Sequence, residues 1–177
     1  NEEKIIAETI ENIDSVLRKQ KTKYEIIIVD DGSTDATWQQ IQRCAQGSKV
    51  KALRLARNFG QQIAIYAGIR ATRGDVVVVM DVDGQDPPSL LPQMIDHIRD
   101  GYDVVNAVRA GRKEPLLKRA CYRLFYRCFR WMAPFPIALD SGDFSAVSRS
   151  VADTLCSGEQ HHPFYRGLRS WVGGRQL

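Results

Sequence analysis

Short runs of β-branched and aliphatic residues alternate with segments of helical period along most of this chain, and that alternation limits the fold more than any other feature. Ile6, Ile10, Ile13 and Leu17 recur at helical spacing. YEIIIV at 24–29 reads as a buried strand, and 34–45 as a helix with Trp38 and Ile41 inward. A strand at 50–55 and a helix at 61–71, ending near Gly74, come next. DVVVVM at 75–80 is a strand apolar on both faces. Pro87 and Pro88 start a helix with Leu91, Met94, Ile95 and Ile98 on one face, and 102–108 is a fourth strand. Strand and helix alternating at this spacing build an α/β domain, a mostly parallel central sheet with helices on both faces. Such a domain usually opens on a strand. This series opens on a helix, so a first strand is expected ahead of Asn1, and the chain reads as a fragment.

A chain of 177 residues, 44% apolar and 26% charged, is enough for one domain with a real core and is not the composition of a disordered segment. Cys44, Cys121, Cys128 and Cys156 form no CxxC pair and no zinc spacing, and read as free thiols. Apolar runs such as 76–80 are far short of the about 20 residues that a membrane-spanning helix needs. The net charge of +4 is uneven. Eight Lys or Arg and one acid, Glu114, lie between Arg109 and Trp131, which leaves 17 basic against 20 acidic residues elsewhere. A mildly acidic domain thus carries one strongly basic segment, and such a segment seeks phosphate on a nucleic acid, a lipid surface or a substrate.

In open parallel sheets, ligands sit beyond the carboxyl ends of the strands. Here those ends are acidic. The first visible strand runs into Asp30, Asp31, Gly32 and Ser33, and DVVVVM runs into Asp81, Val82, Asp83, Gly84 and Gln85. Two carboxylates at i and i+2 can converge on one hard cation, and Mg²⁺ or Mn²⁺ takes oxygen ligands of this kind. Asp86 is close enough in sequence to be an alternative ligand, whereas Asp35 reads as a turn and cap residue. The chain lacks a P-loop, a GxGxxG and a GxSxG, and its histidines (His97, His161, His162) suggest no triad.

VDDGSTD at 29–35, RNFGQQIAIYAGIRATRGD at 57–75, MDVDGQDPP at 80–88 and SGDFSAVSR at 141–149 together resemble the family-two glycosyltransferases of GT-A fold. The resemblance is strongest to the polyprenyl-phosphate branch, which includes bactoprenol glucosyltransferases and dolichyl-phosphate mannose synthases. It covers essentially the whole chain. DVDGQDPP and GDF at this separation are specific, while DDGS alone is weak. Asn1, Glu2 and Glu3 resemble the end of the family's Pro-x-Tyr-Asn-Glu opening.

The resemblance implies a single nucleotide-binding GT-A catalytic domain over 1–177, with a membrane-anchoring segment beyond the chain. Glu2, Asp30 and Asp31 would hold the nucleotide base and ribose. Asp81, Asp83 and Gln85 would face the diphosphate and a Mg²⁺ or Mn²⁺ ion, with Asp83 the principal ligand. Arg109 and Arg123 match phosphate-binding arginines, and Asp143 matches a carboxylate at the acceptor site. Gly84 departs from the family, whose members usually carry a bulkier apolar residue there; this bears on the shape of the sugar pocket. The implied reaction moves a sugar, with glucose from UDP-glucose the first expectation, to polyprenyl phosphate, with inversion. GDP-mannose and other UDP-sugars stay open, as does the oligomeric state.

The residue types suit that chemistry. A departing nucleoside diphosphate needs its negative charge neutralised, by a divalent cation and fixed arginines. A phosphate monoester acceptor is already anionic, so Asp143 can orient rather than deprotonate. The expected setting is an anionic membrane surface, on the cytoplasmic face of the inner membrane if the source is bacterial. An amphipathic helix at 115–132 is expected to lie on that surface. At about 100° per residue, Arg119, Arg123, Arg127 and Arg130 fall within an arc of about 80°, and Leu117, Cys121, Leu124, Phe125, Cys128, Phe129 and Met132 fall roughly opposite. A helix whose apolar face packs on the sheet is the alternative.

Three other readings compete. A receiver-type, Mg²⁺-dependent phosphoacceptor domain also gathers acids at strand ends, but needs a late Lys at a strand end that the sequence after Val108 does not offer. A GT-A transferase with a soluble or polysaccharide acceptor often carries Q-x-x-R-W, which is absent. A nucleic-acid-binding role for the basic segment is disfavoured by the acidic crevice beside it.

Overall fold

The computed structural model describes residues 1–20, 22–47, 49–108, 141–158 and 164–177. Its elements run α1 (Ile6–Lys19), β1 (Ile26–Asp30), α2 (Thr37–Cys44), β2 (Val50–Arg54), α3 (Gln61–Ala71), β3 (Val76–Val79), a 3₁₀ turn (Pro88–Leu90) leading into α4 (Leu91–Arg99), β4 (Val104–Val108), β5 (Ser141–Ser148), α5 (Arg149–Cys156) and α6 (Tyr165–Trp171). Every helix and strand expected before Val108 is present, within a few residues at its ends. The expected helix at 115–132 lies outside the described residues.

The strands form two ladders. β1 and β2 pair in parallel, from Ile26 opposite Val50 to Asp30 opposite Arg54. β5 lies between β3 and β4 and runs antiparallel to both, with Val77 opposite Val147 and Val105 opposite Ala146. The described strands thus fall into a parallel β1–β2 pair and a three-stranded sheet in which β3 and β4 run the same way and β5 alone is reversed, within the expected α/β architecture. The sequence hides β5 because Ser141, Gly142, Asp143, Ser145 and Ser148 give it a polar composition. Small side chains such as Ser145 and Ala146 are what a central strand under close helices accommodates, and Phe144, Ser145, Ala146 and Val147 are all buried. Beyond α6, 175–177 lies alongside β4: the Leu177 N–H donates to Val104 O (2.9 Å), and the Asn106 N–H to Leu177 O (2.8 Å).

Side chains alternate across the β3–β5–β4 sheet and separate two cores. Val77, Val104 and Val147 face α3, α5 and α6, where they meet Tyr66, Ile69, Val151, Leu155 and Tyr165. Val105, Phe144 and Ala146 face α4, where they meet Leu91, Met94 and Ile98. The same period-two rule puts Asp143, Ser145 and Val147 on one face of β5, the face covered by α3 and α6. A third core joins Ile6 and Ile10 of α1, Ile26 and Ile28 of β1, and Ile41 of α2. The isoleucines that gave α1 its helical period are thus its buried stripe. Burying side chains of this size contributes about 1.5–3 kcal/mol each.

Gly32 sits in the turn after β1 with φ +72°, and a Cβ there would stand 2.7 Å from Asn58 N and 2.8 Å from Arg57 C. Both neighbours are backbone and cannot swing away. Gly32→Ala is therefore expected to destabilise the protein by about 2 kcal/mol or more, combining left-handed strain with the clash, measured by urea denaturation. A loss under about 0.5 kcal/mol would contradict this close approach.

Candidate active site

The acidic ends of β1, β3 and β5 are gathered around the first turn of α3. After β1, the Asp31 carboxylate accepts two backbone N–H bonds, from Phe59 (2.7 Å) and Gly60 (2.8 Å), the two residues leading into α3. Asp30 is buried: Oδ1 accepts the Ser33 N–H (3.0 Å), and Arg54 Nε lies 3.1 Å from Oδ2 in an ion pair without hydrogen-bond alignment. The chain start is pinned to this turn. Glu2 N donates to Thr37 Oγ1 (2.7 Å), Asn1 Oδ1 accepts the Thr34 N–H (2.9 Å), and Glu3 Oε2 accepts the Ala36 N–H (3.0 Å). Glu2 is exposed, and its backbone N–H is held by Thr37 at the start of α2.

At the end of β3, Asp81 Oδ1 accepts from Gln61 Nε2 (2.8 Å), and the Asp81 N–H donates to Asp86 Oδ2 (3.0 Å). Asp83 Oδ1 accepts the Gln85 N–H (2.9 Å), closing a short turn that exposes Asp83 and Gln85. Asp86 is buried, so it braces the Asp81 turn from beneath. On β5, Asp143 is buried and doubly held by Arg166, with Nε to Oδ1 at 2.8 Å and Nη2 to Oδ2 at 3.3 Å. Gln62 Nε2 also donates to Asp143 Oδ2 (3.4 Å).

The strand register explains why Asp81 and Asp143 meet. Val79 pairs with Ser145, and continuing that antiparallel register by two residues sets Asp81 opposite Asp143. The electrostatics agree. Burial is the main reason the Asp81 carboxyl is held above the usual carboxylate range, and the negative charges of Asp86, Asp143 and Asp83 add to it against the Gln61 hydrogen bond. The ion pairs in this region go to Asp30 and Asp143, so among the described residues Asp81 and Asp83 have no basic partner. An oxygen-rich, uncompensated negative edge is a donor set suited to a hard cation. No cluster of three His, Cys, Asp or Glu side chains spaced to hold a metal occurs among the described residues, so any site here draws on Gln85 or on ligand oxygens as well.

Several residues at the site were not singled out in the sequence. Gln61 and Gln62 lie inside the RNFGQQ motif without an assigned role. α6 contributes Arg166, and also Arg169, which is buried against β5: Nη2 donates to Gly142 O (3.2 Å), Nη1 reaches Asp143 O (3.5 Å), and Nη1 donates to Ser145 Oγ. Ser145 Oγ also shares a hydrogen bond with Tyr165 OH (3.0 Å). The signal available was the pattern YRGLRSW, with arginines three residues apart beside a buried tyrosine. Arg109, Arg119, Arg123, Arg127 and Arg130 lie outside the described residues.

The model of the glycosyl transferase family 2 family matches residues 1–155. The chain is 40% identical over 178 residues to the uncharacterized glycosyltransferase YkcC of Bacillus subtilis, covering 99% of this chain and 55% of that protein. It is 34% identical over 177 residues to the bactoprenol glucosyl transferase of Shigella phage SfX, covering 99% and 58%. Among solved structures, the mannosyltransferase PcManGT of Pyrobaculum calidifontis, in complex with GDP-Man and Mn²⁺, matches all of this chain and 51% of its own at a TM-score of 0.68 and 20% identity. The fold is that of the GT-A glycosyltransferases. The chain spans little more than half the length of the curated relatives it matches.

The raised Asp81 carboxyl has a testable sign. An acid whose folded pKa lies above its unfolded value favours folding at low pH and loses that contribution as pH rises through the folded pKa. At pH 7 ionised Asp81 therefore opposes folding, and Asp81→Asn, which keeps the acceptor for Gln61, is expected to raise the melting temperature in chelator-treated protein. The gain should shrink as pH falls toward the ordinary aspartate range. A variant less stable than wild type at pH 7 would contradict the crowding of carboxylates at this edge.

Proposed function

The chain belongs to glycosyl transferase family 2, and from that premise we propose that it transfers glucose from UDP-glucose to polyprenyl phosphate, with inversion, at the cytoplasmic face of a membrane. The observation that carries the reading is the meeting of two acidic strand ends: Asp81 and Asp83 after β3, and Asp143 across from them on β5. The bactoprenol glucosyl transferase of phage SfX supports glucose and the lipid phosphate, and PcManGT supports a nucleotide-sugar donor with a divalent ion.

Asp81, Asp83 and Gln85 would hold Mg²⁺ or Mn²⁺, which when bound neutralises charge on the departing nucleoside diphosphate as a Lewis acid. Glu2 and Asp31 border the nucleotide, while buried Asp30 keeps the 30–33 turn in shape for it. Asp143 orients the acceptor, its own carboxylate fixed by Arg166 and Gln62. The phosphate oxygen is already a charged nucleophile and attacks the anomeric carbon with no proton to remove. Arg109 and Arg123 bind phosphate. The 115–132 segment lies on the anionic surface through Arg119, Arg127 and Arg130, and an anchor follows in the remainder of the protein. Among the described residues no helix is long and apolar enough to cross a membrane.

Purified protein supplied with UDP-glucose, polyprenyl phosphate and Mn²⁺ is expected to form the glycolipid. Asp83→Asn should lose Mn²⁺-dependent thermal stabilisation by UDP. Asp143→Asn should still bind UDP with Mn²⁺ but lose transfer by about 100-fold or more. Transfer to a soluble sugar instead of the lipid would favour the other acceptor class, and equal UDP-induced shifts in wild type and Asp83→Asn would overturn the metal site. In sedimentation with liposomes, binding should rise with anionic lipid, fall with salt, and weaken when Arg119, Arg127 and Arg130 become Gln, because each basic residue near the leaflet contributes about 1 kcal/mol.

A further inference from the structure

α3 begins with two glutamines, and each reaches a different carboxylate: Gln61 Nε2 bonds Asp81, and Gln62 Nε2 bonds Asp143. Gln62 makes a second bond. Its Oε1 accepts the Tyr165 N–H at 2.7 Å, at the first residue of α6. A backbone N–H can only donate, so this contact fixes which end of the amide is oxygen and leaves Nε2 turned toward Asp143. The bond to Asp143 is long at 3.4 Å, but its direction is set by the shorter one. We propose that Gln62 is a positioning residue for Asp143, a neutral clasp that ties the acceptor-side carboxylate of β5 to α3 and α6 together.

The residue type fits that task. Arg166 is about half exposed and holds Asp143 from the rim. Gln62 grips the same oxygen from inside, on the α3 side of β5. Glutamate at this position keeps an acceptor for the Tyr165 N–H but turns a second anion on Asp143. Methionine, of similar length, offers neither bond. Because Gln61 is the adjacent residue, the two amides hold Asp81 and Asp143 from one helical turn, which fixes the separation of the donor-side and acceptor-side groups. The inference rests on the reading of Asp143 as the acceptor-side carboxylate.

The test compares Gln62→Met and Gln62→Glu with wild type in the full protein. Gln62→Met should lose both thermal stability and transfer. Gln62→Glu keeps the Tyr165 bond but sets a carboxylate against Asp143, so it should be less stable than wild type, with kcat roughly 10- to 100-fold down, because a displaced reacting geometry costs rate. The KM for UDP-glucose should stay within about twofold of wild type in both variants, since donor binding is untouched. If Gln62→Glu regains kcat along with stability, Gln62 only fastens α6 and the proposal is overturned. A second readout needs no turnover: in the crystal structure of Gln62→Glu, the Asp143 carboxylate should leave its wild-type rotamer. An unmoved carboxylate overturns the proposal whatever the acceptor is. A wild-type protein that transfers nothing to polyprenyl phosphate overturns the functional reading instead and leaves the rotamer test in force.

Discussion

The first turn of α3 is the point on which the site depends. Its entry residues, Phe59 and Gly60, donate their N–H groups to Asp31, and its first two side chains hold Asp81 and Asp143. Three acidic segments from three strands are thereby tied to one helix end. The N-terminus of a helix carries partial positive charge and unpaired N–H groups, so it is a natural seat for carboxylates that would otherwise repel one another. Gly60 makes the approach possible: at φ +95° it turns the chain sharply into the helix while its N–H points to Asp31.

Charge around Asp143 is balanced differently from charge around Asp81. Asp143 has a cation on its carboxylate, Arg166, and a second guanidinium, Arg169, on its own carbonyl and that of Gly142. Arg169 also packs over the Tyr165 ring, with 5.1 Å from its Cζ to the ring centroid. A buried arginine is costly unless its donors are taken up, and here carbonyl oxygens and a hydroxyl do so. Among the described residues, the Asp81 edge has the neutral amide of Gln61 and a backbone-level brace from Asp86. Among the described residues, one side of the crevice is thus internally neutralised and the other is left negative.

The sequence made the N-terminal half of the fold legible because each element there carries its own period: isoleucines every third or fourth residue in α1, unbroken valines in β3. It also displayed the acids at the ends of β1 and β3, since strand ends can be read wherever strands can. β5 and α6 were less legible for opposite reasons. β5 is a central strand built from Ser, Gly and Ala, whose burial comes from its neighbours rather than from its own hydrophobicity. α6 buries an arginine, which reads as surface in any one-dimensional pattern. Asp143 was singled out through its motif, but that it faces Asp81 follows only from the antiparallel register, a long-range fact. Gln61 and Gln62 show the same limit, because an amide's role lies in what stands opposite it.

The position of β5 also sets an order of events in the life of the chain. β3 and β4 are made before β5, the strand that lies between them and pairs with both. Until 141–148 is made, β3 and β4 lack their shared partner strand, and Val77 and Val104 lack the valine that packs with them. Pairing across so long a stretch of chain is slow, because loop closure must come first, and open edges invite association with other chains meanwhile. Because Asp143 arrives on that same strand, the site acquires this carboxylate only in the step that closes the sheet.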